Sequence, residues 1–112
     1  MSNTRKREQK MCEEYQGWSN RETWAANLWI NNEQGIYEMV LDFTETSREE
    51  HKEDGGARGC LAESIENYMT EILDMQNVFE NKELLVMSQD IGSLYRVDWH
   101  EIAESFLSEV NA

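Results

Sequence analysis

Apolar residues recur along most of this chain at steps of three and four, the period of a helix that turns one face to a core. The cleanest run is Leu61, Ile65, Tyr68, Met69, Ile72 and Leu73, which predicts a helix over about 60–76 with Glu63, Glu66, Glu71 and Asp74 away from the stripe. Ile36, Met39, Val40, Phe43 and Ser47 predict another over about 36–51, its opposite face carrying Glu38, Asp42, Glu45, Glu49 and Glu50. Upstream, Ser19 followed three residues later by Glu22 reads as a capping box, opening a helix that runs to about Asn32 and stops before Gly35. Trp24, Leu28 and Asn31 share one face of it, and Ala25, Leu28 and Trp29 an overlapping one.

Residues 52–59 are the clearest loop. Residues 82–95 read as a fourth helix through Leu84, Leu85, Ile91, Leu94 and Tyr95; Gly92 weakens it, and a short strand near residues 84–87 is the alternative. The last helix opens on Asp98 as cap, with Glu101 as its box partner and Val97 and Ile102 as a hydrophobic staple. Ile102, Ala103, Phe106, Leu107 and Val110 then face inward. The expected fold is mainly α, a single compact domain of about five helices.

Length and composition fit that picture. One hundred and twelve residues suit one domain, and 39% hydrophobic residues with four tryptophans suffice for a core. No apolar run approaches the ~20 residues that span a membrane, and the N-terminus lacks the apolar stretch of a secretion signal. Cys12 and Cys60 have no metal-ligand spacing and read as free thiols of a cytoplasmic protein.

Charge changes the picture more. The net charge is -13. Residues 1–11 hold Arg5, Lys6, Arg7 and Lys10 against Glu8, whereas the rest of the chain holds 22 acids against 6 bases. The chain therefore divides into a mobile basic tail, 1–14, and an acidic helical domain, 15–112. Such a field repels nucleic acid and anionic membranes and attracts basic surfaces.

Little points to catalysis. His51 and His100 stand in no nucleophile–base order, and no carboxylate pair has the apolar flanks that would raise a pKa for acid catalysis. Gly55-Gly56-Ala57-Arg58-Gly59 lacks the lysine and the strand-loop-helix setting of a phosphate loop. Glu49, Glu50, His51, Glu53 and Asp54 are oxygen-rich but lack the alternating acids of a calcium hand. No catalytic residue, metal or cofactor is assigned, and the chain reads as a non-enzyme. Trp18, Trp24 and Trp29 could stack on bases, but only Arg21 stands near them, so a place in the core is favoured. Asn20, Asn27, Asn31 and Asn32 then serve helix ends and loops.

The acids carry the functional content. Glu38, Asp42, Glu45 and Glu49 step along one helix face at three and four, where like charges destabilise a helix. Between 33 and 54 only Arg48 and Lys52 oppose them and their neighbours Glu33, Glu50, Glu53 and Asp54. Glu63, Glu66, Glu71 and Asp74 form a second group. Rows of carboxylates at this spacing approximate the phosphates of a nucleic-acid strand, and proteins that bind such strands line a groove with lysine and arginine. A solvated polar face is the competing reading.

The segment Gly17-Trp18-Ser19-Asn20-Arg21-Glu22-Thr23-Trp24, continued by Leu28-Trp29 and Asn31, resembles the opening of a family of small, largely uncharacterised proteins of phages and mobile elements. Val97-Asp98-Trp99-His100-Glu101-Ile102-Ala103 is similar to a segment often found at their close. The resemblance implies a phage origin and, by analogy with small acidic phage proteins, an anti-CRISPR or anti-restriction role as a DNA mimic. The expected partner is a basic nucleic-acid-binding protein or effector complex in the host cytoplasm. The alternative is a phage accessory protein, a monomer or a homodimer, that meets its partner through apolar or aromatic surface. Direct nucleic-acid binding through Arg5 to Lys10 ranks below both, because the acidic body repels that ligand.

Overall fold

The computed structural model describes residues 15–111; the basic tail and Cys12 lie outside them, as does the side chain of Val110. Six α-helices and one 3-10 turn follow in order: α1 Arg21–Asn32, α2 Gln34–Glu50, α3 Ala57–Ile72, α4 Met75–Glu80, α5 Lys82–Ile91, the turn Leu94–Arg96, and α6 Trp99–Asn111. The chain is mainly α, as its periodicity predicts. The stretch 84–87 is helical within α5, not a strand.

The buried residues follow the helical period. Leu61, Ile65, Met69 and Leu73 come from α3 and its end, Val40 and Ile36 from α2, Ala25, Ala26 and Ile30 from α1, Met87 and Ile91 from α5, and Ile102, Ala103 and Phe106 from α6. Helix α3 packs between α2 and α6; α1 joins α2, α5 and α6; and α4 packs against α5. Thr44 is also fully buried, because its hydroxyl donates to the Val40 carbonyl 2.7 Å away in its own helix and so needs no water. The expected inward residues Met39 and Leu28 are instead about 40% exposed.

Several boundaries differ from expectation for local reasons. Gly35 does not stop α1; Glu33 alone leaves helical geometry, and Gly35 falls in the first turn of α2. Helix α3 begins at Ala57, so the loop between it and α2 is shorter than 52–59, and it ends at Ile72. Asp74 then caps a separate helix, α4, by accepting from the Asn77 N–H at 2.9 Å. Gly92, at φ 86, occupies the left-handed region and ends α5, its N–H donating to the Ser88 carbonyl.

The caps of α1 and α6 depart from the expected boxes in a related way. Asn20, not Ser19, caps α1, accepting from the Thr23 N–H at 2.8 Å. Ser19 turns away, and its hydroxyl donates to Glu101 at 2.6 Å, its N–H to the same oxygen at 3.2 Å. Asp98 caps α6 through the Glu101 N–H at 3.2 Å, but the Glu101 carboxylate is taken by Ser19, so the box stays half closed. Asn20 also donates to the Arg96 carbonyl at 2.8 Å, and Thr23 accepts from the Asp98 N–H at 2.8 Å. The start of α1 is thus sewn to the start of α6 across more than 70 residues of sequence.

Thr23 is fully buried. Thr23→Val keeps its shape but leaves the Asp98 N–H without its acceptor. The variant should lose about 1–3 kcal/mol of stability, measured by urea unfolding followed by tryptophan fluorescence.

Candidate functional acidic face

The acids of α2 stand out from the core because of helical geometry. Its buried row is Ile36, Val40, Thr44 and Ser47. Glu38, Asp42 and Glu49 each follow a member of that row by two residues, a rotation of about 200° around the helix. All four carboxylates of the row, Glu45 included, are exposed, as are Glu50, Glu53 and Asp54 beyond them. Glu63, Glu66 and Glu71 are exposed on α3, and so is Asp74 at the cap of α4. Every acid singled out from the sequence therefore meets solvent: most stand on α2 and α3, which pack together, Glu53 and Asp54 in the turn between them, and Asp74 at the cap of α4.

Few of them are neutralised among the described residues. Lys52 pairs with Glu49 at 3.1 Å, whereas Asp54 has a hydrogen bond with His51 at 3.1 Å. Gln34 donates to Glu38 at 3.0 Å, which leaves that charge in place. The other described ion pairs, Arg21–Asp90, Arg58–Glu104 and Arg96–Glu22, engage acids elsewhere. Carboxylates are not confined to this face: Glu80, Glu83, Asp90, Asp98, Glu104 and Glu109 are exposed on other elements. What distinguishes α2 is order, one carboxylate roughly every 5–6 Å along the helix, against one phosphate per ~3.4 Å of axis in a nucleic-acid strand.

The turn after α2 is locally well determined. Asp54 accepts from the Gly56 N–H at 2.9 Å and from His51, and these two contacts, the backbone one first, hold its carboxyl below the usual range. Here the structure gathers a set that sequence spacing concealed. Cys60, in the first turn of α3, comes back against the end of α2, so that ligand atoms of Glu50, His51 and Cys60 all lie within 4.8 Å of one another. The Ser47 hydroxyl is 3.4 Å from the same sulfur. Glu49 and Glu53, grouped with His51 from the sequence, are not part of this set. Gly55 and Gly56 were the available signal, because a tight glycine turn returns the chain on itself.

A second electrostatic feature lies at the α1–α2 junction. The Glu83 carboxylate accepts a hydrogen bond from protonated Glu33 and repels its charged form, which together hold the Glu33 pKa above its ordinary 4.5. A raised folded pKa adds stability that is full below the unfolded value and is lost as pH rises through the folded one. Glu83→Gln should therefore raise the melting temperature slightly at neutral pH, and the gain should vanish towards pH 4.5; thermal melts at the two pH values check this.

The tryptophans belong to the fold. Trp99 is buried, and Trp18, Trp24 and Trp29 are half-buried against the core. Trp24 packs against Tyr15, the rings tilted by 54° with centroids 4.9 Å apart, and the Trp29 indole donates to Asp90 at 2.7 Å. Arg21 pairs with the same Asp90 and so is engaged in the fold. Of the asparagines, Asn20 caps, Asn31 donates to the Asn27 carbonyl, and the Asn27 side-chain oxygen is buried without a protein partner among the described residues. The most exposed apolar side chains lie elsewhere, at Met75 and Phe79 of α4 and at Tyr95, although Leu28 of the tryptophan-bearing α1 is 40% exposed.

No helix among the described residues is long and apolar enough to cross a membrane. No curated protein and no solved structure matches the chain. The two segments sewn together at the starts of α1 and α6 both fall within residues 11–106, which match a family model described as a family of unknown function, DUF7249, and the chain belongs to that family.

Proposed function

We propose that this chain is a phage-encoded inhibitor of a host nucleic-acid-targeting defence system, of the anti-CRISPR or anti-restriction kind. It acts in the host cytoplasm without catalysis, occupying a basic groove in place of DNA or RNA. The observation that carries the reading is the row Glu38, Asp42, Glu45 and Glu49: exposed, regularly spaced, and neutralised among the described residues only at Glu49. Stability alone would favour alternating such a row with lysine. The hydrogen-bonded tryptophan-rich motif supports the same division of labour, since it is spent on the fold and leaves the acids for a partner. Expression of the chain in hosts carrying restriction or CRISPR systems should raise the plating efficiency of a targeted phage. Unchanged plating across such hosts would remove the proposal.

A second reading is favoured by one observation. Met75 and Phe79, one turn apart on α4, are 74% and 81% exposed. A partner, or a second copy of the chain, could be met through them as part of a phage accessory assembly. Under that reading Phe79→Asp abolishes partner binding, and reversal of the acidic row does not.

A further inference from the structure

We infer that Glu50, His51 and Cys60 form a binding site for a zinc-class divalent cation that clips the end of α2 to the start of α3. The three offer one carboxylate oxygen, one imidazole nitrogen and one sulfur, all within 4.8 Å of one another. This donor mixture suits zinc, which takes Cys, His and carboxylate ligands at roughly 2.0–2.3 Å. Tetrahedral bonds of that length put ligand atoms ~3.5 Å apart, so side-chain rotation of about an ångström closes the set. Three protein ligands leave a fourth position for water.

Neighbouring contacts prepare each ligand. Asp54 holds His51 Nδ1 at 3.1 Å, which leaves Nε2 as the nitrogen for a metal. A carboxylate behind a metal-binding histidine fixes the ring and its tautomer in this way. Gly56 makes that approach possible, because a Cβ there would stand 2.9 Å from Nδ1. The buried Ser47 hydroxyl, 3.4 Å from the Cys60 sulfur, donates to a thiolate. Binding displaces the thiol proton to solvent, and the cation's two positive charges offset the thiolate and the Glu50 carboxylate. Glu50 also belongs to the proposed partner face, but the site needs no partner and can be tested without one.

The test titrates Co²⁺ alone into the full chain under reducing conditions, then adds Zn²⁺. A thiolate-to-cobalt charge-transfer band should grow to one equivalent and be discharged by zinc. Cys60→Ser should abolish it, Cys12→Ser should leave it intact, and Asp54→Asn should weaken binding about 10–100-fold. His51→Gln should weaken it at least as much, with circular dichroism confirming that each variant is folded. Absence of the band in the wild-type chain, or its persistence in Cys60→Ser, overturns the site.

Discussion

Phe106→Ala should destabilise the protein by about 3–5 kcal/mol. Phe106 is only 2% exposed. It projects from α6 into the layer formed with α3 and α2, its ring 6.0 Å from that of Tyr37 on α2. Truncation removes the transfer free energy of the ring and leaves a cavity that rigid helices cannot close. Native domains have only about 5–15 kcal/mol in hand, so the loss is a large share of the total. The melting temperature should fall on the order of 10–20 °C, and Phe106→Leu should recover much of it. Urea unfolding read through the tryptophans gives the number, and a loss below about 1 kcal/mol, within the range of ordinary surface substitutions, would show that α6 does not wall the core.

The second large effect concerns binding. Replacing Glu38, Asp42, Glu45 and Glu49 together by lysine should leave the helix intact, because lysine is a good helix former and like-charge repulsion along the row is merely exchanged in sign. Affinity for a basic partner should nonetheless collapse. One exposed ion pair is worth about a two- to fivefold effect, so four reversals compound to on the order of 100-fold. Binding by the wild-type chain should weaken steeply with salt, since screening shortens from ~10 Å at 0.1 M to ~3 Å at 1 M. The variant should show a flatter salt dependence. Reversal of Glu83 and Glu109, exposed acids on other helices, is the control. If that control does equal damage, net charge rather than the ordered row drives association. If the row variant binds as well as the wild type, the mimic reading falls, and Met75 and Phe79 become the surface to pursue.

Sequence by itself determined what depends on neighbours a few residues away. The stripe of α3, the opposed acidic row of α2, the Asp98 cap and the buried face of α6 follow from a rotation of about 100° per residue. Exposure of the acids was legible for the same reason, since a charged row set opposite an apolar one has only solvent to face. Contacts between distant segments were decided by the tertiary structure. Ser19 suits an N-cap, but Glu101 arrives 82 residues later in sequence and takes its hydroxyl, leaving the cap to Asn20. Leu28 and Met39 fit an inward stripe, yet no neighbouring helix covers them fully. The separate helix α4 depends on Asp74 capping where α3 could have run on. Cys60 meets Glu50 and His51 only because the glycine turn folds α3 back along α2. Helical period is a local property of the backbone, whereas a hydrogen bond or a ligand set between elements exists only once packing has brought its members within a few ångströms.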